Sequence, residues 1–267
     1  MTAVAFTGAG GAIGRVIRPG LLSRGIDLRS IDLAPIEPLD ASEDVLQGDL
    51  RDPAVIDRAF EDRDVVLHMA GTSVERPLPE IIDNNLRALH EVFEGAWRHR
   101  VRRVVFASSN HAFGMHEAGT HLELDAPYRP DSLYGLSKVW GEAMSRLYWD
   151  KHGIEAISLR IGSALPRPTE ERHLSTWLGE DDMLHLVMRC IEAEKVGCLA
   201  VWGVSNNTRR WWSNDAADQL GYRPVQNAED HADEILKDGP RAEPVARRYQ
   251  GGSFAAADNT RADAAPD

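Results

Sequence analysis

Tyr134 and Lys138 stand four residues apart in Tyr134-Gly135-Leu136-Ser137-Lys138, a spacing that puts both side chains on one face of a helix. A phenol with an ordinary pKa of about 10 is a poor base at neutral pH. A nearby ammonium favours the phenolate and draws it toward the working range of a general base. Such pairs also decorate many helix surfaces, so the meaning of this one depends on its neighbours. Upstream, Val104 to Asn110 reads as a buried strand that ends in hydroxyls and an amide. Ligands of open parallel sheets bind beyond the carboxyl ends of strands, so Ser109 and Asn110 should face the same crevice. Ser109, Tyr134 and Lys138 form a candidate catalytic set.

A second group opens the chain. Thr7-Gly8-Ala9-Gly10-Gly11-Ala12-Ile13-Gly14 sits between a short apolar strand and an amphipathic segment. Glycines at 8, 11 and 14 permit a tight turn, close approach to a pyrophosphate and packing of the next helix on the sheet. The helix N-terminus behind them offers unpaired N–H groups and partial positive charge to phosphates. Asp32 ends the following strand, eighteen residues beyond Gly14. An acid there accepts from ribose hydroxyls and repels a 2′-phosphate, which favours NAD over NADP. Leu33, Ala34 and Pro35 add no arginine to rescue a phosphate. Asp49 is placed to reach the adenine edge, with a turn or cap aspartate as the lesser alternative.

Positioning these groups requires a repeated strand–helix alternation. Strands are expected at 3–6, 28–32, 45–46, 65–69, 104–108 and 156–161, with helices at 12–23, 53–60, 79–98 and 132–152. Strict alternation implies a parallel sheet covered on both faces, a doubly wound α/β Rossmann sheet. After about Pro166 the pattern weakens to a helix at 183–194, a short strand at 200–202 and a helix at 211–220. The chain divides into a dinucleotide-binding core, 1–165, and a small substrate-binding region with a tail, 166–267, packed on the same domain. From about Ala255 the residues read as a loose tail or an arm.

Composition narrows the class. A net charge of −12 argues against a phosphate-backbone partner. Only Lys138, Lys151, Lys195 and Lys237 are lysines, which fits either salt adaptation or arginine-favouring codon usage. No segment approaches the roughly 20 apolar residues of a membrane span, and the early glycine turn leaves no room for a signal peptide. A cytoplasmic location is expected. Cys190 and Cys198 read as buried structural thiols. The histidines have no metal-ligand spacing, so no metal is expected. Asp181 and Asp182 read as helix-capping acids, and Trp202, Trp211 and Trp212 as the core of the small region.

With these motifs in hand, the sequence resembles the extended short-chain dehydrogenase/reductase superfamily through its TGxxGxxG, His68-Met-Ala-Gly71, strand-end Ser109 and YxxxK. The resemblance sharpens toward the uronate dehydrogenase family. It rests on Phe106-Ala-Ser-Ser-Asn-His111, Tyr134 to Lys138, Arg160-Ile-Gly-Ser163, Ser175-Thr-Trp177, Val201-Trp-Gly203 and Gln250-Gly-Gly252, and it extends from Thr7 to Phe254. It implies oxidation of the C1 hydroxyl of D-glucuronate or D-galacturonate to an aldarolactone, with the hydride passing to NAD. Tyr134 would remove the hydroxyl proton, Ser109 would bond that oxygen, and Lys138 would tune Tyr134 and hold the nicotinamide ribose. The implied cofactor residues are Gly8, Gly11, Ala12, Ile13, Gly14, Asp32, Asp49, Leu50, Ala70, Gly71, Asn85, Lys138 and Ile161. The implied substrate residues are Ser73, Ser109, Asn110, His111, Tyr134, Ser163 and Arg172. Arg172 suits a carboxylate, which a guanidinium grips through two charge-assisted bonds. The resemblance also implies a homo-oligomer, with the 79–98 helix as a candidate interface. A nucleotide-sugar epimerase or dehydratase on the same core, and a non-catalytic NAD sensor, are the competing readings. Few residues follow Ile161 to enclose a nucleoside diphosphate, and a sensor has no need of the full catalytic set.

Overall fold

In a computed structural model that describes residues 2–239 and 242–260, the expected alternation is realised. The elements are β1 (Ala3–Thr7), α1 (Ala12–Ser23), β2 (Asp27–Asp32), β3 (Asp44–Gln47), α2 (Pro53–Phe60) and β4 (Val65–His68). A helical run follows: α3 (Leu78–Ile81), a π-helical stretch (Ile82–Arg87) and α4 (Ala88–Arg98). Then come β5 (Arg103–Ser109), α5 (Leu133–His152) and β6 (Glu155–Ile161). The C-terminal region adds β7 (Ser163–Ala164), α6 (His173–Thr176), β8 (Trp177–Leu178), α7 (Glu180–Glu192) and β9 (Cys198–Gly203).

Seven strands form one sheet in the order β3-β2-β1-β4-β5-β6-β9, and every pairing is parallel. β4 and β5 are buried along their whole length, which is why they read as unbroken apolar runs and not as alternating ones. One face is covered by α1 and α7, whose Ile17, Leu21, Met183, Leu186 and Ile191 pack on Val4, Leu67 and Val105. The other is covered by α2, α4 and α5 through Ile56, Phe60, Leu89, Phe93 and Met144. The order of strand addition reverses between β1 and β4, so a crevice opens at their carboxyl ends.

Local chemistry sets the boundaries. Asp52 accepts from Ala54 N and precedes Pro53, the first helical residue of α2, as proline prefers. Ser132 caps α5 by accepting from Gly135 N, and Gly153 ends that helix in the left-handed region at φ +70°.

Three expectations need correction. Trp211 to Leu220 is not one helix: only Asp215–Asp218 is helical, while Trp212 bridges Leu122 and stacks on Trp202 at 4.7 Å. Burying two indoles overrides local helical preference. Asp181 and Asp182 lie inside the first turn of α7, whose cap is Gly179. Asp182 accepts instead from Val225 N and Gln226 N, tying a distant loop to the helix. The segment from Ala255 is no loose tail at its start, because Ser253–Ala256 is helical and Ala255 is buried. Residues 261–267 lie outside the described residues. Both cysteines are free, Cys190 buried and Cys198 half-buried.

Candidate active site

The glycine turn, the strand ends and the start of α5 converge on the crevice. Gly8 has φ +77°, and a Cβ there would sit 2.6 Å from Ala70 N, so the loop passes His68-Met-Ala-Gly71 at backbone distance. Gly11 caps α1 without a side-chain bond, and the first turn carries no acid. Its N–H groups are therefore available to an anion. Asp32 accepts from Gly10 N at 2.8 Å and from Ala34 N at 3.0 Å. A groove of about 350 Å³ runs over this surface, lined by Gly8, Gly11, Asp32, Asp49, Leu50, Ala70 and Gly71 among others. The size and the backbone-lined floor fit the adenosine diphosphate half of a dinucleotide. Arg51 also lines it, which the residues next to Asp32 gave no hint of. Its guanidinium is engaged by Asp49 at 2.6 Å, with Asp83 at 3.7 Å.

Of the predicted cofactor residues, Gly14, Ile13 and Ala12 sit in α1 behind the groove, and Ile161 ends β6. Asn85 is buried in the π-helical stretch. Its Oδ1 accepts from Thr72 N at 2.7 Å, and its Nδ2 donates to Thr72 O and Ser137 Oγ. A π-bulge often marks a functional position, and here it turns one amide toward both the Gly71 loop and the helix of Tyr134. Ser73 lies exposed in the same loop. Two residues on, Glu75 accepts from Leu133 N and Tyr134 N, docking that loop onto the N-terminus of α5.

Tyr134 and Lys138 share the inward face of α5 and are buried. Lys138 Nζ donates to Ala107 O at 2.8 Å and lies 5.3 Å from the Tyr134 ring centroid. Burial pulls the ammonium down to about 8. Burial likewise pushes the Tyr134 phenol up to about 12, opposed by its hydrogen bond with Ser109 and reinforced by the charge of Asp131. The Lys138 ammonium is expected to favour the phenolate, and burial carries the phenol the other way. The protein's own groups leave Tyr134 a protonated donor, and ionisation there calls for further positive charge.

Ser109 ends β5 and accepts from His111 N at 3.2 Å. With the Asn110 amide oriented to satisfy both ends, its Nδ2 donates to Ile161 O at 3.0 Å and its Oδ1 accepts from Arg172 Nη2 at 2.7 Å. Arg172 also donates from Nη1 to Ser163 Oγ at 3.0 Å and from Nε to Gln250 O at 2.6 Å. Burial pulls the guanidinium down to about 10, which leaves it charged at neutral pH. Ser109, Asn110, His111, Tyr134, Ser163 and Arg172 therefore gather within one network at the end of β5, the start of α5, β7 and the residue before α6.

Further contributors had no site role assigned from the sequence. Phe254 stacks on His111 at 4.0 Å and lies 6.0 Å from the Tyr134 ring. Gln250 is fully buried and bonds Trp212 Nε1 and Thr120 O while its carbonyl holds Arg172. Asp131 accepts from His111 Nδ1 at 2.7 Å. Behind the site Arg160 pairs with Glu142 at 2.9 Å, both buried, and Ser108 Oγ donates to the same carboxylate. Glu142 stands four residues beyond Lys138, so the helical spacing that exposed Tyr134 and Lys138 reaches it as well. Phe254 and Gln250 are remote in sequence and carry no such signal. Among the described residues, no group of histidine, cysteine and carboxylate side chains could hold a metal.

Comparison with known proteins agrees with this geometry. Residues 4–219 match the family model of the NAD dependent epimerase/dehydratase family. Uronate dehydrogenase of Pseudomonas syringae pv. tomato is 41% identical over 94% of this chain and 92% of its own length. The crystal structure of a mutant uronate dehydrogenase from Agrobacterium tumefaciens complexed with NAD is 39% identical. It superposes with TM-score 0.91, covering 96% of this chain and 97% of that one. A more distant relative, NAD-dependent glucose-6-phosphate dehydrogenase of Haloferax volcanii, is 33% identical over 84% of this chain and 94% of its own length. A glycine turn held by Asp32 at the end of β2, a strand-end serine beside a buried tyrosine and lysine, and these likenesses over nearly the full length place the chain among the NAD-dependent uronate dehydrogenases of the epimerase/dehydratase family.

Proposed function

We propose that the enzyme oxidises the C1 hydroxyl of D-glucuronate or D-galacturonate, in pyranose form, to the aldarolactone. The observation that carries this reading is Arg172: a guanidinium held on three sides by Gln250 O, Ser163 and Asn110, the residue next to Ser109. A charge so fixed grips a carboxylate at a set distance from the reacting carbon. Neutral aldoses have nothing to offer it.

In this reading residues 1–165 bind the cofactor and 166–267 complete the substrate site. Asp32 meets the adenosine ribose, Asp49 the adenine edge, and the α1 N-terminus the pyrophosphate. NAD, held by these groups, would supply the hydride acceptor and a positive charge that opposes the desolvation keeping the Tyr134 phenol protonated. Once its own proton has passed to solvent, Tyr134 would take the C1 hydroxyl proton while Ser109 donates to the same oxygen, and the C1 hydrogen would leave as hydride to NAD. Lys138 positions the nicotinamide ribose. Ser73, Asn110, His111 and Ser163 hold the sugar ring. Arg172→Ala should raise KM for either uronate by tenfold or more with a smaller change in kcat, measured by initial rates. An unchanged KM would remove Arg172, and with it the carboxylate, from recognition.

Among the described residues no helix is long and apolar enough to cross a membrane, in keeping with a proposed cytoplasmic location. We also propose self-association through α4 and α5. Leu136 and Leu147, eleven residues apart and so on one face of α5, are half exposed, as is Trp97 of α4. Leu136→Glu with Leu147→Glu should lower the sedimentation coefficient.

A further inference from the structure

Asp131 is a carboxylate embedded beside the substrate site. Its side chain has no exposed surface. Oδ2 accepts from His111 Nδ1 at 2.7 Å, and Oδ1 accepts from Ser132 Oγ at 2.7 Å. The walls are backbone: a Cβ at Gly114 or at Gly251 would overlap Oδ2. Those glycines come from the turn after β5 and from the C-terminal segment, which pair through Gly251 N and Gly114 O at 2.8 Å. Asp131 itself directly precedes the cap of α5. Three segments that share little sequence proximity thus close on one carboxylate.

The chemistry of that contact is directional. An ionised carboxylate only accepts, so the proton between the two residues belongs to His111 Nδ1. A neutral imidazole then carries its lone pair on Nε2. The ring plane is fixed as well, by the 4.0 Å stack on Phe254 and the edge contact with Tyr134 at 5.7 Å. The same carboxylate raises the Tyr134 phenol and supports the Arg172 cation.

We propose that Asp131 is a positioning residue that locks His111 in the Nδ1–H tautomer, so that Nε2 meets the substrate as a hydrogen-bond acceptor and selects a donating sugar hydroxyl. This rests on the reading of the site as a uronate pocket for its kinetic consequence, though not for the tautomer itself. A carboxylate that orients a histidine through the ring nitrogen remote from the substrate is a general device for fixing which nitrogen acts. Here it would set the polarity of one sugar contact without touching the sugar.

The test is ¹⁵N NMR of the histidine-labelled protein with His111 assigned by His111→Gln. The wild type should show a protonated Nδ1 and a bare Nε2. Asp131→Ala should shift the ring toward the Nε2–H form and raise KM for uronate tenfold or more, with NAD affinity unchanged. Asp131→Asn keeps the shape and an acceptor oxygen, and should restore the Nδ1–H form and most of the lost affinity. An Nε2–H pattern in the wild type would overturn the proposal even if Asp131→Ala did not fold. So would an Asp131→Ala protein that keeps both its tautomer and its KM. If no uronate is turned over at all, the substrate reading fails while the ¹⁵N pattern still decides the tautomer.

Discussion

At the scale of residues, one face of α5 holds two groups whose ionisation burial moves in opposite senses. Lys138 falls to about 8 and Tyr134 rises to about 12. The sign of each follows from linkage. Between about pH 8 and 10.5 the unfolded chain holds the Lys138 proton more tightly than the native one, so stability rises with pH across that window. Above about pH 10 the unfolded chain loses the Tyr134 proton first, so stability then falls. Lys138→Met should therefore be more stable than wild type at pH 7, by on the order of 1–3 kcal/mol, because no buried ammonium remains to be desolvated. The gain should disappear by about pH 10.5 in urea titrations. Tyr134→Phe should lower kcat by about 10² to 10⁴ while the protein still quenches its fluorescence on binding NAD. Tyr134, Lys138 and Ser109 were legible because their spacing follows from helix and strand geometry. The direction of the Tyr134 shift was not, since it depends on burial beneath elements far along the chain.

At the scale of elements, α5 is fixed from behind by a buried ion pair. Arg160 donates to both oxygens of Glu142, and its guanidinium lies 4.3 Å from the Phe113 ring centroid and 5.2 Å from that of Trp202. Ser108 and Tyr128 add bonds to the same carboxylate. Glu142→Ala leaves a buried guanidinium unpaired and should cost about 3–5 kcal/mol, read from urea unfolding. Replacing both partners by Met should recover part of that loss. The C-terminal segment is the other positioning element. Phe254→Ala should raise KM for uronate several-fold and leave NAD binding intact, because Phe254 packs on His111 and Tyr134 and no part of it lines the adenosine groove. Strands and helices through β6 were readable because each buries a continuous run or one helical face. The Trp211 segment misled because the packing of its indoles, and not its local pattern, decides its shape.

At the scale of the molecule, the sheet order places β1, β4, β5 and β6 side by side, which is what brings a glycine turn, a serine and an arginine loop to one edge. The C-terminal region closes this edge and also supplies the seventh strand. Such closure is invisible to periodicity, since Gln250 and Phe254 act through contacts with residues dozens of positions or more away. Acid should loosen the whole molecule. Burial lowers His68 to about 3 and, together with the charge of Arg172, lowers His173 to about 4. Both enter the native state neutral, so the unfolded chain binds protons first as pH falls below about 6.5, and stability is lost across that window. His68→Asn, read by thermal unfolding at pH 7.5 and pH 5, should show a smaller drop between the two than the wild type.

The central claim is that a carboxylate-bearing sugar is oxidised at C1 by NAD. The direct measurement is NADH absorbance with purified protein, NAD and D-glucuronate or D-galacturonate, beside D-glucose, L-arabinose and glucose 6-phosphate, each repeated with NADP. The account predicts a rapid rise with the uronates and NAD, and little with the neutral sugars or with NADP. A faster rise with a neutral or phosphorylated aldose than with either uronate would contradict it, and would assign Arg172 a role other than gripping a carboxylate.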